Sequence, residues 1–507
     1  GVDAVELRVD LLDYPGKGGD EADIHVEEVE DTLLRQLTQL RRATTLPIIY
    51  TVRTAGQGGQ FPDGHTRLYE QLCEFGFRAG CDYVDIELPA SNLTPSVMAM
   101  RLARRVGHTR IIASYHDVAG RLWTAASPTE GFSVFREIIA KLAQYGSIVK
   151  LISMATDIAD NFALHTWSKH DEIVRLLNGR PLITMNMGDT GRLSRVLNRT
   201  LTPVTHPALP VRAAPGQLSV REIHTLRHQL GMLPRREFYL LGSPIQSSPS
   251  PLLHNTGFDA LGLPHHYALR EMASVRGNEE AIRAMLASDH FGGASVTIPL
   301  KVDIIALLDE ISPSARAIGA VNTIIRRADG SSYGDNTDWL GILHSVKRQP
   351  CKLAPSSGAA LIIGAGGTAR AAIYAAHRLG IARIYLYNRT RANAEQLVQQ
   401  FNTLPITIVD SLDDVAKAAA DARLTLQLII STVPGTITNM TLPSTLFAAS
   451  GAQTGGVAVE LAYRPRETAL MAAAAQHAGW CCVPGVDVLI GQGLWQFRYW
   501  TGCKPPQ

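Results

Sequence analysis

The chain has 507 residues, of which 46% are hydrophobic and 19% are charged, a composition typical of globular proteins. The 48 Lys and Arg residues nearly balance the 46 Asp and Glu residues, and the resulting net charge of +2 gives no electrostatic basis for binding nucleic acid or a membrane surface. No apolar run approaches the roughly 20 residues that a membrane span needs.

Six cysteines occur without a C-x-x-C pair, and no Cys/His cluster has the spacing of zinc ligands. We therefore expect reduced thiols, a cytoplasmic location and no metal site. The sequence opens at Gly1 in the middle of a strand-like pattern and without Met, so we expect it to be part of a longer chain.

The first half alternates short apolar runs with helical stretches. Successive runs start between 22 and 42 residues apart, and a strand–helix unit of a parallel sheet needs about 30 residues. The pattern predicts seven strands, at Ala4–Val9, Leu46–Val52, Asp82–Leu88, Arg110–Tyr115, Ser147–Ile152, Pro181–Met185 and, more weakly, Pro203–Thr205. An α/β fold follows, and a (β/α)8 TIM barrel whose first strand lies upstream of the chain explains seven strands best.

Ionisable residues lie within these strands or at their C-terminal ends, where barrel enzymes place their catalytic groups. Lys150 is flanked by apolar residues, and burial favours the neutral amine that can attack a ketone. His116 ends the preceding strand, and imidazole transfers protons near neutral pH. Spacing alone leaves a Schiff-base lyase and an aldolase both open.

Ordered motifs narrow this choice. Glu6-Leu7-Arg8-Val9-Asp10, Thr51-Val52-Arg53, Asp85-Ile86-Glu87, Tyr115-His116-Asp117, Lys150, Ser194-Arg195 and Ala214-Pro215-Gly216-Gln217 occur in this order. Together they resemble type I 3-dehydroquinate dehydratase over the first half. The resemblance implies that Lys150 forms an imine with the substrate, that His116 transfers the protons and that Arg195 binds the carboxylate. It also implies that Glu6, Arg8, Arg53 and Gln217 contact ring hydroxyls, and that Glu87 supports His116.

A domain boundary is predicted near residues 231–236, where a short Gly- and Pro-containing connection precedes a new strand. The dehydratase barrel would occupy residues 1–233. A substrate domain would follow at 234–350 and be completed by 485–507. A Rossmann-like cofactor domain would occupy 351–484.

The glycine pattern Gly364-x-Gly366-x-x-Ala369 follows a predicted strand and opens a helix, as a dinucleotide site requires. The next predicted strand, Arg383–Tyr387, leads to Asn388-Arg389-Thr390 instead of an acidic residue. Since Arg can pair with a 2′-phosphate, the cofactor predicted here is NADP.

Loops rich in hydroxyl and amide groups surround a possible Lys–Asp proton relay in the second half. They include Ser248-Pro249-Ser250, Ser295-Val296-Thr297, Gly319-Ala320-Val321-Asn322 and Asn336-Thr337-Asp338. The ordered set resembles shikimate dehydrogenase. By that resemblance Lys301 and Asp338 are catalytic, and Ser248, Ser250, Thr297, Asn322, Tyr463 and Gln492 contact the substrate. Cofactor contacts map to Gly364, Gly366, Gly367, Asn388, Arg389, Thr390, Thr432 and Gly485.

The order of the two domains, and segments such as 50–59 and 500–502, resemble the C-terminal part of the fungal pentafunctional AROM polypeptides. The substrates implied are 3-dehydroquinate, 3-dehydroshikimate and shikimate, and a homodimer is expected. A quinate-pathway repressor, a regulatory relative without catalysis, is the main alternative. A quinate/shikimate dehydrogenase fused to an inactive barrel is another. The complete set Lys150, His116, Lys301 and Asp338 favours the bifunctional enzyme.

Overall fold

A computed structural model describes residues 2–89, 93–105, 107–351, 353–354, 357–435, 437, 440–447 and 455–506. The chain divides into two compact units, Gly1–Leu233 and Pro234–Gln507. Within the described residues, no helix is long and apolar enough to cross a membrane.

The first unit is built on a curled sheet of parallel strands. In the described part of the chain six strands pair in sequence order, each with the next. They are β1 (Val5–Arg8), β2 (Ile48–Thr51), β3 (Tyr83–Glu87), β4 (Arg110–Asp117), β5 (Ile148–Met154) and β6 (Leu182–Met187). Parallel neighbours bring all six C-terminal ends to one edge, and the sheet forms a half-barrel.

The seventh predicted strand, Pro203–Thr205, is wrong as a strand. Only Thr205 makes a bridge, to Ser219, and its backbone N–H donates to the Leu218 carbonyl at 3.0 Å. Pro203 lacks the N–H that a strand needs for its ladder, so the pairing does not extend.

Helices cover the outside of this sheet, and most of their buried faces pack with the strands into a large apolar core, while Val196, Leu218 and Ile223 form a separate cluster. Serine caps define several of their starts. Ser127 and Ser219 each accept a hydrogen bond from a backbone N–H of the first turn, and Glu222 completes a capping box with Ser219. The helices are α1 (Val26–Ala43), α2 (Thr66–Arg78), α3 (Val97–Ala103), α4 (Pro128–Leu142), α5 (Ala159–Trp167), α6 (Asp171–Leu177), α7 (Arg192–Leu197) and α8 (Val220–Gln229).

The second unit begins with a mixed sheet in the order β10-β12-β11-β9-β7-β8. Its strands are β7 (Glu237–Gly242), β8 (His266–Glu271), β9 (Phe291–Val296), β10 (Glu310–Ile311), β11 (Thr323–Arg326) and β12 (Ser332–Asp335). The helices of this part are α9 (Ser250–Leu261), α10 (Glu279–Ala287), α11 (Pro313–Ile318) and α12 (Asp338–Lys347).

A parallel sheet in the doubly wound order β15-β14-β13-β16-β17-β18 follows. Its strands are β13 (Gly358–Ile363), β14 (Arg383–Tyr387), β15 (Ile406–Val409), β16 (Thr425–Ser431), β17 (Gly456–Glu460) and β18 (Trp480–Val483). The remaining helices are α13 (Gly367–Arg378), α14 (Arg391–Gln400), α15 (Asp413–Asp421), α16 (Ala469–Ala475) and α17 (Gly485–Thr501). The last of these returns to the first sheet of the unit, where the Trp500 indole N–H donates to the Ile324 carbonyl at 2.9 Å.

The expectation of reduced thiols is wrong for one pair. Cys351 and Cys481 form a disulfide across a sequence separation of 130 residues, with their Cα atoms 6.4 Å apart. Cys73, Cys81, Cys482 and Cys503 are not part of a disulfide. Composition alone gave no sign of the pair, because the fold brings these distant positions together.

Two candidate active sites

The C-terminal edge of the half-barrel holds a buried cluster of opposite charges. Lys150 is 8% exposed, and its Nζ lies 3.0 Å from Asp85 Oδ2 and 3.8 Å from Glu6 Oε1. The same Asp85 oxygen lies 2.8 Å from the Arg53 guanidinium. Buried charges persist only when they are paired, so this cluster holds the lysine at a fixed place in the pocket.

The Asp85 carboxylate contacts both cations of this cluster, Arg53 and Lys150. Burial alone would raise the pKa of Asp85, but Arg53, Lys150 and the Ser114 hydroxyl outweigh burial and lower it to about 2. The carboxylate therefore stays charged at neutral pH. The two cations and the Ser114 hydroxyl, which donates at 2.5 Å, keep it in place.

Glu87 has a different environment on the same strand. Its Oε1 accepts from Arg53 Nη1 at 2.8 Å and from the Thr54 backbone N–H at 3.0 Å, while Thr54 Oγ1 donates to Oε2 at 2.6 Å. Burial raises the pKa of Glu87 in spite of these donors. Glu87 thus orders the loop after β2, and among the described contacts it makes no hydrogen bond to His116.

His116 lies at the end of β4, beside the lysine strand. Burial and the nearby cations Arg53, Lys150 and Arg8 hold the pKa of His116 well below its ordinary value. Its buried Nδ1 has no hydrogen-bond partner, so Glu87 does not bond that atom. Its backbone N–H donates to Gln57 Oε1 at 2.9 Å. The ring is therefore a neutral imidazole, able to accept a proton.

Arg195 is a buried cation without a carboxylate partner among the described contacts. It is 2% exposed, its Nη1 donates to the Pro203 carbonyl at 3.1 Å and contacts Met185 Sδ at 3.0 Å, and its Nε has no partner. Burial lowers the pKa of Arg195 to about 10. An anion binding here would satisfy a guanidinium that the protein itself leaves partly unsatisfied.

The remaining residues predicted for this site have partners of their own. Arg8 makes a double contact with Asp10, at 2.8 and 2.6 Å, and also donates to the Ala213 carbonyl at 3.2 Å. Gln217 Oε1 accepts from the Ala213 backbone N–H at 3.1 Å. Glu6 Oε1 accepts from the Thr51 hydroxyl at 2.7 Å. Arg8 and Gln217 thus both hold the chain at Ala213.

A Lys–Asp pair lies at the mouth of the doubly wound sheet in the second unit. Lys301 Nζ lies 2.5 Å from Asp338 Oδ2 and 3.4 Å from Thr368 Oγ1. Asp338 begins α12, and Thr368 lies in the first turn of α13, directly after the glycine loop. A Cβ added to Gly367 would lie 3.6 Å from the Lys301 side chain. The lysine therefore stands between the two sheets of this unit.

Amide groups surround this pair. Asn322 Nδ2 donates to Asp338 Oδ1 at 2.7 Å and to Gln492 Oε1 at 3.2 Å. Thr337 Oγ1 also lies 3.2 Å from Gln492 Oε1. The structure thus brings four predicted residues together in one network: Lys301, Asp338, Asn322 and Gln492.

Ser248 and Ser250 meet at the start of α9. Their hydroxyl oxygens are 3.2 Å apart, and the Ser250 backbone N–H donates to Ser248 Oγ at 3.3 Å. Hydroxyls at a helix N-terminus suit a carboxylate. Thr297 directly follows β9, and Tyr463 is 37% exposed in the loop after β17.

The glycine loop has the geometry of a phosphate cradle. Gly364 has φ +111°, and a Cβ there would lie 2.4 Å from Thr432 Oγ1, so only glycine fits. A Cβ at Gly366 would meet nothing within 4 Å, which leaves open space at the N-cap of α13. Open space at the N-terminus of a 12-residue helix fits a pyrophosphate.

The segment after β14 supplies polar groups to the same end of the sheet. Asn388 Nδ2 donates to the Thr390 carbonyl at 2.8 Å, and Arg389 lies between these two residues. Arg391 is engaged elsewhere, in ion pairs with Glu395 and Asp410. Gly485 begins α17, and a Cβ there would lie 2.5 Å from the Ala462 carbonyl oxygen, so glycine is required at this contact too.

Sequence reasoning gave no separate role to several residues that hold these sites together. Asp85 links Lys150 to Arg53, and Gln57 bonds the backbone of His116. In the second unit, Thr337 and Gln496 bond the groups around Asn322. For Asp85 a signal existed, because it stands two residues before Glu87 on the same strand and therefore on the same face.

Profiles of four domain families match the chain. They are type I 3-dehydroquinase at residues 1–234, the shikimate dehydrogenase substrate binding domain at 240–324, shikimate / quinate 5-dehydrogenase at 351–441, and the shikimate 5′-dehydrogenase C-terminal domain at 485–507. The chain thus carries the domains of two enzymes. A regulator is not supported.

Whole-chain relatives give the particular family. The pentafunctional AROM polypeptides of Malassezia globosa and Mycosarcoma maydis are 44% and 40% identical over the whole chain, which spans about 30% of their length. The solved dehydroquinate dehydratase and shikimate dehydrogenase from S. pombe AroM is 38% identical, with a TM-score of 0.74 over 100% of this chain and 92% of its own. The chain belongs to this AROM family of fused dehydroquinate dehydratase and shikimate dehydrogenase.

Proposed function

We propose that this chain catalyses two consecutive reactions. The first is dehydration of 3-dehydroquinate to 3-dehydroshikimate through a lysine Schiff base, and the second is NADPH-dependent reduction of that product to shikimate. The observation that carries the first reaction is the buried Lys150 beside a neutral His116 and an unsatisfied Arg195. The Lys301–Asp338 pair beside the glycine loop supports the second.

In the first site Arg195 binds the substrate carboxylate and orients the ketone toward Lys150. The lysine amine adds to the ketone carbon, and the carbonyl oxygen leaves as water to give an imine. The protonated imine withdraws electrons, so the neighbouring C2–H becomes acidic enough for His116 to accept the proton.

Elimination then expels the C1 hydroxyl, which takes up the proton held by His116 and leaves as water. Addition of a second water to the imine releases 3-dehydroshikimate and restores the amine. Asp85 stays ionised because Arg53 and Lys150 lower its pKa, so it stabilises the positive imine nitrogen throughout. Glu6, Arg8, Arg53 and Gln217 orient the ring, and Glu87 acts through Arg53 and Thr54 instead of through the histidine.

The residues of the second unit fit an NADP cofactor. Gly364, Gly366 and Gly367 would hold the pyrophosphate, Asn388, Arg389 and Thr390 the adenosine end with its 2′-phosphate, and Thr432 and Gly485 the nicotinamide end. NADPH supplies the hydride for the reduction.

This chain's own residues handle the substrate and the proton. Ser248 and Ser250 bind the carboxylate, and Thr297, Asn322, Tyr463 and Gln492 hold the ring and its hydroxyls. Lys301 donates a proton to the carbonyl oxygen that becomes the new hydroxyl, and Asp338 keeps the lysine in position.

The division of the chain is part of the proposal. Residues 1–233 form the dehydratase, 234–350 with 485–507 form the substrate domain of the dehydrogenase, and 351–484 bind the cofactor. We also propose that the protein is a cytoplasmic homodimer and part of a longer polypeptide. Light scattering on the purified chain tests the dimer: a mass of one chain, about 55 kDa, would contradict it.

Borohydride trapping tests the first reaction. The protein is incubated with 3-dehydroquinate, reduced with borohydride and digested, and the modified peptide is found by mass spectrometry. We expect an adduct on Lys150 and an unchanged adduct yield in Lys141→Ala, which removes a helix-surface lysine paired only with Glu137 among the described contacts. Folded, ligand-binding protein without an adduct would refute the Schiff base. Oxidation of NADPH with 3-dehydroshikimate tests the second reaction.

A further inference from the structure

The dehydrogenase unit contains a second glutamine one helical turn beyond Gln492. Gln496 also lies on α17, but it is 1% exposed and does not contact the Lys301–Asp338 pair. Its hydrogen bonds go to the strand ends behind the substrate pocket, and it also interacts with the His254 side chain of α9. A fully buried amide is stable only if its polar atoms are bonded, so these partners define what it does.

Gln496 connects two strands of the mixed sheet. Its Oε1 accepts from Ser295 Oγ of β9 at 3.0 Å. Its Nε2 donates to Thr323 Oγ1 of β11 at 3.0 Å and to the Asn322 carbonyl at 3.3 Å. The Gln496 side chain thus fixes the end of β9, next to Thr297, relative to Asn322, whose side-chain amide lies in the pocket.

The contact with Thr323 also sets a direction of hydrogen bonding. A threonine hydroxyl has one proton. Because Gln496 Nε2 donates to Thr323 Oγ1, the threonine proton is available for Asn322 Oδ1, which lies 2.7 Å away. The Thr337 backbone N–H donates to the same Oδ1 at 2.7 Å.

With both donors on its oxygen, the Asn322 amide can present only its NH2 group to the other side. That group donates to Asp338 Oδ1 at 2.7 Å and to Gln492 Oε1 at 3.2 Å. Two donors therefore orient the Asn322 amide: the Thr337 backbone N–H, and a chain of bonds that begins at Gln496 and continues through Thr323 to the catalytic carboxylate.

We infer that Gln496 is a positioning residue of the dehydrogenase, which fixes the Asn322 amide in the orientation that serves Asp338 and the substrate hydroxyl. It acts through Thr323 and touches neither substrate nor cofactor. This inference rests on the proposed reduction of 3-dehydroshikimate. It adds to that reaction a residue that does not line the substrate pocket.

The first test is Gln496→Met, which keeps the length of the side chain and removes its hydrogen bonds. We expect the KM for shikimate to rise about tenfold, since buried partners lose their bonds, and kcat to fall a few-fold. The KM for NADP and the dehydratase rate should stay at their wild-type values, because neither site contains this amide.

The matched control is Gln427→Met. Gln427 is another buried glutamine of the same unit, and its Oε1 accepts from the Ala354 backbone N–H at 2.7 Å, at the start of the doubly wound sheet. We expect this variant to lower the thermal stability without raising the KM for shikimate. An equal rise in both variants would mean that Gln496 is merely structural.

Coupling to Thr323 separates a positioning role from general damage. Thr323→Val removes the hydroxyl, and we expect the double variant with Gln496→Met to have the same KM for shikimate as Thr323→Val alone. Effects that multiply independently would overturn the proposed route. If Gln496→Met fails to fold, Ser295→Ala gives the same test more mildly: it removes the donor to Gln496 Oε1, and an unchanged KM would contradict the inference.

Different results would refute the proposed function and the positioning role of Gln496. Wild-type protein that does not reduce 3-dehydroshikimate with NADPH would refute the proposed function. Active wild-type protein whose KM for shikimate is unchanged in Gln496→Met would refute only the positioning role.

Discussion

The two sites of this chain are built from different kinds of side chain. At the edge of the half-barrel, Lys150, Asp85, Arg53 and Glu87 form a buried network of full charges. In the dehydrogenase unit, one Lys–Asp pair is surrounded by the neutral amides of Asn322 and Gln492.

The difference follows from which group carries out the chemistry, the protein's own side chains or the cofactor. A dehydratase without a cofactor must supply its own amine and base, and buried, paired charges hold these groups in place. In a dehydrogenase the bound cofactor carries the electrons, so the protein mainly has to hold a polyhydroxy acid and move one proton. Neutral donors and acceptors are sufficient for that task and cost less to bury.

The largest effect should come from Lys150→Ala. If the imine is obligatory, the dehydratase rate falls by about 10⁴-fold or more, since the covalent route is lost. Shikimate oxidation should be unchanged, because Lys150 lies in the other compact unit. Both rates are measured on the same preparation. A dehydratase rate within tenfold of wild type would show that the imine at Lys150 is not obligatory.

Asp338→Asn tests the second site in the same way. Its carboxylate holds Lys301 at 2.5 Å, and loss of an acid–base partner typically lowers kcat by about 10²- to 10⁴-fold. Binding of NADPH, followed by its fluorescence, should persist. A variant with near-normal kcat would show that the Lys–Asp pair does not move the proton.

Much of both sites was predictable because it lies in local patterns. The first six strands of the half-barrel and the glycine loop carry periodic or fixed-spacing signals, and the predicted strands are confirmed within a few residues at each end. The weak seventh strand failed because Pro203 and a single bridge at Thr205 cannot sustain a ladder.

The pairings were not predictable, because they depend on strand register. Glu87 stands opposite Ser114, and Ser114 stands opposite Lys150, so three polar residues of β3, β4 and β5 form one row. The sequence gives their order but not this alignment. The same holds for Gln496, whose partners lie 173 residues or more away along the chain.

The free energies of unfolding of Asp85→Asn and Asp338→Asn compare the charged site with the neutral one. Removing the Asp85 charge leaves Arg53 and Lys150 buried with less compensation, and breaking a buried ion pair costs about 3 kcal/mol of unfolding free energy. Asp338→Asn should cost less, because in the described contacts Asp338 pairs with one cation instead of two and the position keeps the Asn322 contact. Urea unfolding of each unit measures both, and equal costs would contradict the distinction between the charged and the neutral site.

The smallest effect concerns His116 and pH. Burial and nearby cations hold the pKa of His116 well below its ordinary value, whereas an unfolded histidine titrates near pH 6.5. Below about pH 6.5 the unfolded chain therefore binds a proton that the folded chain does not, and stability falls as the pH decreases.

His116→Gln removes this proton difference. Between about pH 7.5 and about pH 5.5, the variant should lose about 1.4 kcal/mol less unfolding free energy than the wild type, which corresponds to one pH unit below the unfolded pKa. Urea unfolding of the first unit at the two pH values measures the difference. His25→Gln is a suitable control, because His25 is exposed at the start of α1 and its side chain makes no capping hydrogen bond there. If wild type and His116→Gln lose equal stability on acidification, His116 is not held neutral by its surroundings, and the charged cluster does not tune the base of the dehydratase.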